Sequence, residues 1–306
     1  MQITATIIPI FLVIFVGWFA RRKQFIPDGF LGPANRLVFY LAIPAMIFRA
    51  ISRASFHEEF NVQVLLITLL CVVAVFLCVW ALTVLTGMAR PLRGTFIQCA
   101  FHGNLGYIGL AVVFYYLGES GLAKGGIFAG FIMILQNILA VITLQLHADK
   151  QVETGGAAWE NIRRIVGHPV ILSALAGILV SLSGVRLPLI IDRSLVILSG
   201  MALPLALLLI GASLSFDLMR ARIRAVTSVS LFKLAAMPGF GIFLFKLFGI
   251  PAADYLPAFI LLAAPTATLT YVMAQEMKGD ADFAVAAISG CTLLSAVSYT
   301  IWLNLI

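Results

Sequence analysis

The residues of this 306-residue chain that could do chemistry lie in two short stretches, FHGNLGYIG (Phe101 to Gly109) and LLAAPTATLTYV (Leu261 to Val272). In the first, Asn104 sets a primary amide among Gly103, Gly106 and Gly109, in the middle of an apolar segment. Each glycine weakens a helix interior by ~1 kcal/mol against alanine. In the second, Pro265 interrupts another apolar segment, and Thr266, Thr268 and Thr270 follow it. Proline has no N–H and clashes with the carbonyl four residues back, so it frees acceptors, and the threonines can cap the half-helix that follows. A helix restarting after such a break offers bare N–H groups and a charge of ~+0.5, which suits a carboxylate. Gly103 and Gly106 would bare such groups, Asn104 would donate to the same anion, and Tyr107 in the same stretch is placed with the site. The competing reading of Asn104 is a helix–helix hydrogen bond worth ~0.6–2 kcal/mol, and that of Pro265 a mere kink.

Other polar side chains lie in apolar surroundings. Gln136 and Asn137 are adjacent amides that either face the same cavity or join helices. Lys233 follows the Arg222 and Arg224 group by about ten residues. It either attracts an anion inside the protein or snorkels to the interface on its long stem. His102 adjoins the first break and could sense protons, with an ordinary pKa near ~6.5, or could be a neutral, hydrogen-bonded histidine. No acidic residue lies near the centre of an apolar segment; Glu119, Asp217, Asp254 and Glu276 stand at ends. This disfavours a cation site of carboxylates and suits an anion. Cys71, Cys78, Cys99 and Cys291 lack metal-ligand spacing and are small apolar residues. No metal and no cofactor is expected. An HExxH zinc motif and a pair of intramembrane aspartates are both missing, and Gly211-Ala212-Ser213-Leu214 is an incomplete echo of a serine-protease motif, so an intramembrane enzyme is disfavoured.

The elements that must hold these residues follow from composition. The chain is 62% hydrophobic and 11% charged, against ~25% charged in a soluble domain. A span takes ~20 apolar residues. Ten are expected, over about 3–20, 33–51, 63–86, 95–117, 122–147, 167–184, 191–214, 224–247, 254–275 and 283–303, giving an all-α membrane protein. The net charge of +7 comes from basic residues at the ends of these spans, an orientation signal rather than a nucleic-acid surface. With alternating sides, 13 basic residues fall on one side and 6 on the other, with Lys233 inside a span. The richer side is cytoplasmic, which places both termini outside and the loop 148–166 in the cytoplasm.

That loop separates two similar halves, 1–147 and 167–306. Pro9, Gly17 and Pro44 recur as Pro169, Gly177 and Pro204 at one constant offset. Asn104 falls on Pro265, and Gly118 on Gly279, at an offset one residue longer. Five spans per half is an odd number, so the second copy runs inverted. Inverted repeats with discontinuous helices are a transporter plan whose site lies near the midplane, and breaks at that depth are tolerated only inside protein or beside a watery cavity.

The chain resembles the auxin efflux carrier family, which includes plant PIN proteins and bacterial malonate and malate carriers. The resemblance is carried by FVGWFARRKQFIP (15–27), LVFYLAIPAMIF (37–48), GNLGYIGLAVVFYYLGESGL (103–122), HPVILSALAGIL (168–179), PLALLLIGASL (204–214) and APTATLTYVMAQEMKGD (264–280). It implies ten helices in two inverted repeats, with broken helices 4 and 9 crossing. Helices 3–5 and 8–10 would form a moving transport domain, and helices 1, 2, 6 and 7 a scaffold and homodimer contact. It implies small organic anions, such as malonate, malate or auxin-like acids, carried by an elevator movement across a bacterial plasma membrane. Two departures stand out. The third span, Val64 to Thr86, has none of the acidic residue of the plant carriers, and the first break has no proline. The alternatives are a cation-coupled carrier of the bile-acid or sodium–proton type, and a receptor built on a carrier fold.

Overall fold

Every apolar segment folds as helix, because in a chain this short of polar side chains the helix satisfies backbone groups within each segment. The structure is a computed structural model describing residues 2–54, 60–147, 167 and 169–306. The loop expected at 148–166 lies outside the described residues. In chain order the helices are α1 (Gln2–Arg22), α2 (Gly29–Ser52), α3 (Val62–Leu85), α4 (Arg90–Phe101), α5 and α6 (the two arms of Leu105–His147), α7 (Pro169–Ser183), α8 (Leu189–Ala212), α9 (Phe216–Ala221), α10 (Ile223–Leu247), α11 (Ala252–Leu262), α12 (Leu269–Glu276) and α13 (Ala281–Leu305). Among the described residues, seven helices are long and apolar enough to cross a membrane. The difference from the ten expected spans has local causes. The expected fourth span is split into α4 and α5 by residues 102–104, and α5 joins α6 through Gly118, whose φ of 73° only glycine takes readily. The ninth is split into α11 and α12 around Pro265, and the sixth, α7, has only 15 residues.

Proline accounts for three further irregularities. Single π turns at Val38–Ala42 in α2 and Phe232–Ala236 in α10 each lie just before a proline, Pro44 and Pro238. A proline cannot bond to the carbonyl four residues back, and the widened turn takes up its ring. In α8 the helix loosens at Met201, three residues ahead of Pro204. Asn61 caps α3 by accepting from the Gln63 and Val64 amides.

Two helix pairs pack backbone to backbone, α1 along α8 and α2 along α7. Small residues permit this approach. A Cβ on Gly17 would land on the Leu208 carbonyl, one on Gly211 on the Ile14 carbonyl, and one on Gly177 would stand 3.2 Å from the Phe48 carbonyl oxygen. Gly17→Val is therefore expected to destabilise the protein by ~1–3 kcal/mol, the usual cost of overpacking, because its obstacle is backbone and cannot rotate away. A lower thermal midpoint in detergent checks this. The remaining helices bury the interior against one another, with α3, α5, α11 and α13 contributing fully buried faces.

Candidate functional site

The two breaks meet. Residues 102–104 run antiparallel to 265–267, with Gly103 bridged to Thr266. The Asn104 amide donates to the Pro265 carbonyl at 2.7 Å, and the Ala267 amide to the His102 carbonyl at 2.9 Å. Backbone groups freed by the interruptions are thus satisfied by each other. All side chains from 101 to 113 and from 257 to 267 are buried.

Four half-helix ends converge here, and the protein treats them unequally. The carbonyl ends belong to α4 and α11 and carry negative partial charge. Each is capped from within. On α4, the Thr266 hydroxyl donates to the Cys99 carbonyl at 2.8 Å and Gln136 Nε2 to the Phe101 carbonyl at 3.0 Å. On α11, Lys233 Nζ donates to the Leu262 carbonyl at 2.8 Å. The amide ends belong to α5 and α12 and carry positive partial charge; their first turns bond largely to the residues just ahead, the Leu105 amide donating to the Gly103 carbonyl, the Ile108 amide to the Asn104 carbonyl and the Thr270 amide to the Ala267 carbonyl. Asn104 Oδ1 accepts from the Tyr107 amide at 3.3 Å. A backbone amide can only donate, so the oxygen must face it and Nδ2 must point away. Nδ2 is buried and has no protein partner. A buried donor without an acceptor costs ~1–3 kcal/mol, and a carboxylate would relieve that cost.

Lys233 is completely buried, on the π turn of α10. Of its two sequence readings, the snorkelling one is overturned: the stem turns inward and the ammonium ends at the break. A Cβ on Gly103 would stand 3.4 Å from both Cε and Nζ of Lys233, which places the end of the lysine against this glycine. Gly109 gives clearance toward α11, where a Cβ would meet Leu261 Cδ2 at 3.0 Å. Gly106 differs, since a methyl there would find ordinary contacts at 3.6 Å and beyond.

The remaining expected residues are placed as follows. The threonines do not cap α12: Thr266 reaches across to α4, Thr270 donates to the Ala267 carbonyl, and Thr268, half-buried at the N-cap position, makes no side-chain capping bond. Tyr107 is buried, and its hydroxyl donates to Asn35 Oδ1 on α2 at 3.2 Å. Asn137 is buried beside Gln136 but makes no bond to the breaks among the described residues. His102 is buried and stacks on Phe101. Sequence reasoning missed Gln98 on α4, which is fully buried, donates to Met273 Sδ on α12 at 3.3 Å, and leaves Oε1 without a partner. The signal was present: an amide in an apolar span, like Asn104.

The Membrane transport protein family model matches residues 2–161 and 157–303. A Rhizobium meliloti protein named "Putative malonate transporter" is 27% identical over all of this chain and 96% of its own length. An uncharacterized transporter of Methanothermobacter thermautotrophicus is 23% identical over 98% of this chain and 97% of its own. Another, of Methanocaldococcus jannaschii, is 24% identical over 96% and 95%. With seven long apolar helices and a family match along nearly its whole length, the chain belongs to the membrane transport protein family, the auxin efflux carriers whose motifs it carries.

Proposed function

We propose that the chain is a secondary transporter of small organic anions, with a carboxylate held at the paired breaks. The observation that carries this is the unequal treatment of side-chain donors at the breaks: Thr266, Gln136 and Lys233 are spent on capping the negative ends, while Asn104 Nδ2, at the positive end of α5, is buried without a partner. Gly103, Asn104, Gly106, Tyr107, Pro265, Thr266 and Thr268 line this site, with Gln136 and Asn137 behind it. The buried polar side chains among the described residues include no Asp or Glu, which weighs against a cation site of the sodium–proton type. The name of the Rhizobium meliloti relative supports malonate as the first substrate to try.

The movement would be of the elevator kind, built on two inverted five-helix repeats. Two features support the repeat. The backbone amide of Asn104 bonds directly to Pro265, the position that the sequence offset makes its equivalent. Gly17 packs on Leu208, and its equivalent Gly177 packs on Phe48, which is the equivalent of Leu208. The scaffold would then be α1, α2, α7 and α8, and the transport domain α3–α6 and α10–α13. The first half of α8, Leu189–Gly200, has no buried residue, and a second copy of the chain would lie against the scaffold there.

Purified protein in liposomes should exchange labelled malonate against internal malonate, and a panel of mono- and dicarboxylates should compete. Failure of every carboxylate to exchange would reject the function. The excess of basic residues on the opposite side supports both termini lying outside. In a variant lacking Cys78, a cysteine at Thr154 should be labelled by an impermeant thiol reagent only after the membrane is opened, and labelling in intact cells would reverse the orientation.

A further inference from the structure

A second charged site lies away from the breaks, at the C-terminal end of α2. There a cavity of about 520 Å³ opens between α2, the Gly118 elbow joining α5 to α6, and α8. Its walls are mixed, with Met46, Phe114, Leu122 and Leu203 beside Ser120 and Ser199, and it carries Arg49, Arg53 and Glu119. A cavity of a few hundred Å³ with apolar walls and a few convergent polar groups is the usual form of a small-molecule site. The charges are arranged in two tiers. Asp192 of α8 is mostly buried and holds both arginines, at 3.3 Å from Arg49 Nε and 3.6 Å from Arg53 Nε. Glu119 is held by Arg49 Nη1 at 3.3 Å, and its side chain is 67% exposed.

The matching elbow in the other half is built differently. Asp280, following Gly279, accepts from Arg222 Nη1 and from the Phe283 amide, both at 2.9 Å, and its own amide donates to Thr95. Two of these bonds, with Arg222 and Thr95, tie that elbow to other elements, and the third caps α13. Among the described residues, the ion pair between the Gly118 elbow and α2 is long and exposed, of a kind worth ~0–1 kcal/mol. Glu119 therefore occupies Arg49 at almost no cost to displace it, while a carboxylate in the cavity can take the guanidinium fork in two parallel bonds.

We propose that this cavity is an outer anion site, in which a small carboxylate replaces Glu119 on Arg49 before the anion reaches the breaks. The passage to the breaks rests on the transport function proposed above; the binding does not. Displacement of Glu119 leaves Arg49 held in place by Asp192.

The test uses the full chain in nanodiscs of neutral lipid, with malonate as the probe, in an Asn104→Ala background that removes the donor at the breaks. Calorimetry should still show saturable malonate binding. Adding Arg49→Gln should weaken it at least about tenfold, Arg49→Lys should fall between, and adding Glu119→Gln should tighten it several-fold by removing the competing carboxylate. The Glu119 variant answers even where loss of Arg49 disturbs the fold. In liposomes with Asn104 intact, Arg49→Gln should raise the KM for malonate about tenfold with little change in kcat. Binding that ignores both Arg49 and Glu119 overturns the site. So does an Arg49-dependent response to phosphatidylglycerol in the discs without one to malonate, which would make this a lipid-headgroup site. Binding that follows Arg49 in a protein that exchanges no anion would keep the site and reject the transport function.

Discussion

Asn104→Ala is expected to abolish malonate exchange while leaving the thermal midpoint close to that of the natural protein. The two halves of the asparagine amide act in opposite directions on stability. Oδ1 caps α5 through the Tyr107 amide, and losing such a cap costs ~0.5–2 kcal/mol. Nδ2 is buried without a partner, a defect of ~1–3 kcal/mol that alanine removes. The sum is close to zero. Transport has no such compensation. A hydrogen bond to a charged group is worth ~1.5–3 kcal/mol, so losing it weakens the bound anion roughly ten- to hundred-fold. Asn104→Asp separates the two functions. It keeps the capping oxygen at the N-terminus of α5, where a carboxylate is favoured by the helix dipole, and puts negative charge where the anion must go. It should be folded and inactive. Exchange at the natural rate in Asn104→Asp would show that the amide is a cap and nothing more.

Much of this site is legible in the sequence because its chemistry is local. Glycine and proline break helices wherever they stand, so the breaks at 102–104 and around Pro265 follow from composition. Their meeting follows from the repeat offset, which makes Asn104 and Pro265 equivalent. What the sequence does not display is which acceptor each donor takes. The Thr266 hydroxyl looks like a cap for its own helix, and it bonds instead to Cys99, 167 residues away. Lys233 bonds to Leu262 across 29 residues, by way of a π turn that Pro238 induces on α10. These choices are set by how closely helices approach, and that depends on the shapes of many side chains together. Gly103 and Gly109 illustrate the limit. Their weakening of the helix can be read directly, but their contacts with Lys233 and Leu261 need the packed structure. The count of spans fails for a related reason: a crossing made of two half-helices has the apolar length of a span but not its continuity.

Lys233→Met is expected to reduce malonate exchange by more than tenfold with a small change in thermal midpoint. Methionine is unbranched and of similar length, so it fills the cavity and deletes the charge. Stability again receives opposing contributions. The Leu262 carbonyl loses its donor, at ~1–3 kcal/mol, and a buried ammonium with no carboxylate partner among the described residues is removed, which relieves a desolvation penalty of several kcal/mol. The anion loses its strongest attraction. At an effective dielectric of ~20, unit charges ~8 Å apart interact by ~2 kcal/mol, a factor of about thirty in affinity. Capping and charge can be told apart with Lys233→Gln. Its amide can still donate to Leu262, so the end of α11 stays satisfied, but no positive charge remains beside Gly103. If the lysine serves the anion, the glutamine variant is as stable as the natural protein and as inactive as the methionine one. Full exchange by Lys233→Gln would reduce Lys233 to a helix cap and leave the positive ends of α5 and α12, with Asn104, as the only groups that hold the substrate.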